Sequence, residues 1–135
     1  MRHSSAAVVL CFAAGVTLAA GQSATAPKKG GNPEAAKQAN PVPATPESIA
    51  AGKRAYTQLC ANCHGASGRG DGSGAAAGSQ PADLTDAAWD YGASDGEIYA
   101  VIHDGTSADM GPYRERLKEA DIWNVINFIR TLARN

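Results

Sequence analysis

Residues 60–64 read Cys60-Ala61-Asn62-Cys63-His64, so two thiols and an imidazole fall within little more than one helical turn. At spacing i, i+3 both thiols point the same way, and His64, four residues from Cys60, joins that face. A Cys-x-x-Cys-His run attaches c-type haem: two thioethers grip the porphyrin edge while the imidazole meets the iron. The other chemistries open to such a pair are a redox dithiol and half of a zinc site. The dithiol would want a βαβ setting, which is absent, and leaves His64 unexplained. Zinc would need a second ligand pair, and beyond residue 21 the chain offers only His103 besides His64.

No other constellation supports chemistry. Gly68-Arg69-Gly70-Asp71-Gly72 lacks the strand-turn-helix context of a phosphate loop and the carboxylate series of a calcium loop. It reads as loop wrapping the cofactor. Asp83, Asp86 and Asp90 read as an acidic face, and nothing positions a serine nucleophile.

Three helices must present the motif. The first opens with Thr45 as N-cap, Pro46 at the first helical position and Glu47 in the first turn, and runs into the cysteines. The second opens on the capping box Ser94-Asp95-Gly96-Glu97, continues through Ile98, Val101 and Ile102, and stops at Gly105. A third, over 119–133, aligns Ile122, Val125, Ile126, Ile129 and Leu132 on one broad apolar face. No stretch alternates as a strand does. The segment from Gly65 to Pro81, with six glycines in seventeen residues, reads as loop.

Two zones precede this unit. Arg2 and His3 lead into an uncharged apolar stretch from Ala6 to Ala20, followed by small residues, which predicts a secretory signal peptide over 1–21 and removes Cys11 with it. That stretch is short and alanine-rich for a membrane anchor, and no other run approaches spanning length. The expected mature chain therefore has no integral membrane segment and is periplasmic. Residues 22–44 hold Pro27, Pro33, Pro41 and Pro43 and a single aliphatic side chain larger than alanine, Val42. Such a composition cannot bury a core and predicts a flexible linker. The folded domain is expected over 45–135.

Within that domain eight basic residues stand against twelve acidic ones, a balance of −4 that argues against nucleic acid as a partner. About 90 residues make a small core, so a buried haem would supply apolar surface the sequence lacks.

The chain resembles a class I cytochrome c over residues 46–135. The matching segments are Ala51-Gly52-Lys53 through Tyr56 to the haem motif and Gly65, then Pro81-Ala82-Asp83-Leu84-Thr85, Asp95-Gly96-Glu97-Ile98-Tyr99, Met110-Gly111-Pro112-Tyr113, and Asp121 to Arg130. The resemblance implies a small all-α fold of about three main helices wrapped round one covalent haem c, and iron bound from opposite sides by His64 and Met110. It also implies a close crossing of the first and last helices, Gly52 and Tyr56 against Val125 and Phe128, and a hydrogen bond from the proximal imidazole to the Pro81 carbonyl. Relatives often carry Ser or Thr where Lys118 precedes the last helix, so its first turn is expected to fray. Independently of family, Met110 and His103 are the two natural candidates for the sixth ligand. Met110 lies in a Gly/Pro-containing loop able to turn a side chain inward, whereas His103 ends a helix beside Asp104. Arg69 and Trp89 are candidate donors to the haem propionates.

With both axial positions filled by protein atoms the iron offers substrate no open site, which describes an electron carrier rather than an enzyme. The expected function is one-electron transfer in a periplasmic or respiratory chain, either free or as the electron-accepting subunit of an oxidoreductase. Its partners would be a donor dehydrogenase and an acceptor oxidase or reductase. The alternatives are a peroxidase-like haem enzyme and a gas or redox sensor with a labile sixth ligand. The acidic balance of the domain points to a partner with a basic docking patch.

Overall fold

The structure, a computed structural model, describes residues 23–133, and the expected leader over 1–21 lies outside the described residues. Five helices and no strand occur among the described residues: α1 (Pro33–Ala36), α2 (Pro46–Leu59), α3 (Ala61–His64), α4 (Asp95–Asp104) and α5 (Glu119–Arg130). The all-α expectation is met. None of these helices is long and apolar enough to cross a membrane.

Local sequence explains most boundaries. Thr45 caps α2 by accepting the Ser48 N–H, and Ser94 and Glu97 form the reciprocal capping box of α4. α4 stops where Gly105 takes φ +73, a conformation that disfavours a β-carbon. α5 starts at Lys118 without a side-chain cap, yet the Ile122 N–H still bonds the Lys118 carbonyl at 3.1 Å. It ends at Arg130, short of the expected 133, because Thr131 turns back and donates its N–H to the Phe128 carbonyl. The expected continuous helix into the motif is interrupted at Cys60, which closes α2 and opens α3.

α5 is the keel. Ile122, Val125 and Ile126 are fully covered, and each such burial stabilises by about 1.5–3 kcal/mol. α2 crosses it at Gly52, where a β-carbon would run into the Asn124 carbonyl oxygen; the absence of a side chain is what lets the backbones approach. Tyr56 packs on Phe128 with ring centroids 5.1 Å apart, beside that crossing. α4 lays Ile98 and Ile102 on the same core.

The segment 22–44, expected to be a flexible linker, is instead packed on the helices over its described part. Ala35 is completely buried, and Gly96 of α4 lies where a β-carbon would strike the Ala35 carbonyl. Asn32 caps α1, donates its side-chain N–H groups to the Ala24 and Ala26 carbonyls, and donates its backbone N–H to Glu97 Oε1 at 2.8 Å. Farther along, Asn40 Nδ2 donates to Asn127 Oδ1 at 2.9 Å, and Asn127 Nδ2 donates to the Val42 carbonyl and to Ser48 Oγ at 3.0 and 2.8 Å. The arm is held by side-chain amides and close backbone approach, which an apolar-composition argument does not count.

Candidate functional site

The motif occupies the turn after α2. Backbone N–H groups of Cys63 and His64 both bond the Cys60 carbonyl, at 3.1 and 2.9 Å, so the run is helical as its spacing requires. Both cysteines are half-buried, and they form no disulfide with each other. Burial pushes the Cys60 thiol up to about 11, with the Arg116 guanidinium opposing. Among the described residues no group of three or more His, Cys, Asp or Glu is arranged to hold a metal ion.

The loop after α3 closes over the motif. Gly70, Gly72 and Gly74 donate their N–H groups to the carbonyls of His64, Cys63 and Asn62 at 2.8, 3.1 and 2.8 Å, satisfying carbonyls that the short helix leaves open. Tyr56, its phenol pushed up to about 12 chiefly by burial and then by Cys60 and Asp71, stays a donor and bonds the Gly65 carbonyl at 2.8 Å.

His64 Nδ1 lies 3.1 Å from the Ala82 carbonyl oxygen. This corrects the expectation of Pro81: its carbonyl packs against Gly70, and the neighbouring residue presents the acceptor. With the ring proton on Nδ1, the lone pair on Nε2 is left for a metal. Met110 is half-buried against the hydrophobic core. Its carbonyl accepts the N–H groups of Thr106 and Ser107. His103 is engaged elsewhere, with Nδ1 2.8 Å from Asp104 Oδ1 and its ring stacked on Tyr99 at 5.4 Å.

Of the two propionate candidates, Trp89 donates its indole N–H to the Asp86 carbonyl at 3.0 Å, and Arg69 is exposed. Sequence reasoning missed Ala82, whose role depends on which carbonyl the loop turns inward. It also missed Tyr113, whose hydroxyl donates to the Leu59 carbonyl at 3.1 Å just before Cys60, with Arg116 5.1 Å above its ring.

The donor set fits haem: two thiols on one turn, an imidazole anchored through its far nitrogen, and a thioether. Half-buried Ala61, Met110, Tyr113 and Leu117 add apolar surface of the kind a porphyrin covers.

A family model described as Cytochrome c matches residues 49–133. Solved structures agree. A chain of the Kuenenia stuttgartiensis reducing HAO-like protein complex superposes with TM-score 0.64 and 28% identity, over 70% of this chain and 47% of that one. Cytochrome cL of the marine methylotroph Methylophaga aminisulfidivorans gives 0.56 and 25%, over 65% and 55%. The c-type cytochrome KustC0563 gives 0.53 and 29%, over 62% of this chain and 98% of that one. The match thus spans about half the length of the first two and nearly all of the third.

Proposed function

The chain belongs to the cytochrome c family and carries covalent haem c on Cys60 and Cys63, and from that premise we propose that it is a one-electron carrier with the iron closed by His64 and Met110. Haem-based electron transfer is the chemistry of the family. Bound haem supplies a single iron that cycles between the ferric and ferrous states. The protein's own part is to fix the ligands so that little moves when an electron arrives or leaves.

The observation that carries this reading is the anchoring of His64. Its Nδ1 is held by the Ala82 carbonyl, so Nε2 is the nitrogen available to the iron, in an orientation set by the backbone. Met110 is the only methionine among the described residues and sits half-buried against the core, while His103 is held by Asp104 and Tyr99. A soft thioether favours ferrous iron, which sets a fairly positive potential relative to bis-histidine ligation. Exposed Arg69 is the donor proposed for the propionates, while Trp89 packs against the core.

The location we propose is the periplasm, reached by cleavage of the leader over 1–21, which cytochrome cL-type relatives support. The partners are redox proteins, and the kinship with a chain of a multi-protein complex makes a bound electron-accepting subunit as suitable a role as a free carrier. The acidic balance of the domain favours a basic docking patch on the partner. The packed arm brings three lysines against one glutamate, which lowers the acidic balance from −4 to −2 and leaves its sign unchanged.

Absorption spectra of the ferric and ferrous holoprotein, with and without peroxide, carbon monoxide or nitric oxide, test the proposal. A six-coordinate spectrum that none of these changes is expected. Rapid reaction with peroxide would make the protein a haem enzyme, and ready binding of a gas would make it a sensor.

A further inference from the structure

The loop carrying Met110 is closed by one hydroxyl. Ser107 Oγ accepts the backbone N–H groups of both Asp109 and Met110, at 3.2 and 3.1 Å. In the opposite direction the Met110 carbonyl accepts the N–H groups of Thr106 and Ser107, at 2.8 and 3.3 Å. The closed loop is then fastened to the end of α4: the Tyr113 N–H bonds the Ile102 carbonyl at 3.0 Å, and a β-carbon on Gly105 would come within 2.6 Å of the Met110 carbonyl oxygen. Every backbone polar group of Met110 is therefore committed, and among the described residues Ser107 supplies the only side chain that bonds its backbone.

We propose that Ser107 is a positioning residue for the axial thioether, an inference that rests on Met110 as the iron ligand. A serine that bonds its own loop's N–H groups makes a small rigid turn from residues that would otherwise sample many conformations. Fixing the backbone at Met110 fixes where its sulfur can reach. The demand is greatest in the ferric state, because a soft thioether binds ferric iron less well than ferrous and is more readily displaced.

The test is imidazole binding to the ferric holoprotein, alongside the thioether-to-iron charge-transfer band. Two hydrogen bonds of ordinary strength are lost in Ser107→Ala, so imidazole affinity should rise roughly tenfold and the band should weaken. Ser107→Thr, which keeps the hydroxyl, should restore both. Unchanged imidazole affinity in Ser107→Ala, even with a lowered melting temperature, would reduce Ser107 to a structural residue and overturn the proposal. Met110→Ala separates the two levels. If it leaves the band intact, the ligand assignment itself has failed and the inference falls with it; if it abolishes the band while Ser107→Ala has no effect, only the inference fails.

Discussion

The loop from Gly65 to Leu84 and the arm from Ser23 to Ala44 are both poor in large aliphatic side chains, yet they are held by different means. The loop is stitched to the haem motif by main-chain bonds: Gly70, Gly72 and Gly74 reach consecutive carbonyls of α3, and Leu84 returns its N–H to the Gly68 carbonyl at 2.6 Å. The arm is held by Asn32, Asn40 and Asn127 and by the Glu97 carboxylate. One region is organised around the cofactor, and the other fastens the helices from outside. Low apolar content therefore means different things in the two places, depending on whether polar partners are within reach.

The largest expected effect lies on the cofactor side. Replacing both Cys60 and Cys63 by Ala should leave haem extractable by acid acetone and the domain largely unfolded by circular dichroism, because a core of this size depends on the porphyrin surface. A folded, haem-free double variant would show that the helices are self-sufficient.

Deleting residues 23–41 from the holoprotein should act more moderately. The Asn32–Glu97 and Asn40–Asn127 bonds and the covered Ala35 are lost together, a destabilisation of about 2–4 kcal/mol in chemical denaturation, with the haem spectrum unchanged. No loss of stability would return the arm to the status of a linker; a changed spectrum would mean that the two regions are coupled.

The smallest effect is a pH dependence confined to the arm. Burial pushes the Glu97 carboxyl up, but bonds from the Ser94 hydroxyl, the Ser94 N–H and the Asn32 N–H together hold it below its ordinary 4.5. A carboxyl lowered on folding stabilises the fold above its unfolded pKa, and that contribution is lost as pH falls through the folded value. Stability should thus drop below about pH 4.5, and Glu97→Gln should flatten this acid limb. An acid limb of unchanged steepness in the variant would place the titration elsewhere.

Much of this was legible in the sequence. Thr45, Pro46 and the Ser94–Glu97 capping box fix helix starts through local bonds, and the spacing of Ile122, Val125, Ile126 and Ile129 marks the buried face of α5. The motif named the cofactor because thiol spacing and helical pitch are themselves local facts. What escaped was non-local. Whether Pro81 or Ala82 offers its carbonyl to His64 depends on how a glycine-rich loop turns across eighteen residues. The docking of the arm depends on Asn40 finding Asn127 across eighty-seven. An asparagine in a proline-rich stretch looks the same whether solvated or clamped, until its partner is known.

The proposed carrier role rests on one assignment, that Met110 would hold the iron together with His64. It is tested most directly by comparing Met110→Ala and His103→Ala in a spectroelectrochemical titration under carbon monoxide. Met110→Ala should lose the thioether-to-iron charge-transfer band, bind carbon monoxide and fall in midpoint potential, while His103→Ala should match the unaltered protein in all three. The opposite pattern would assign the sixth position to His103 and overturn the role of Met110.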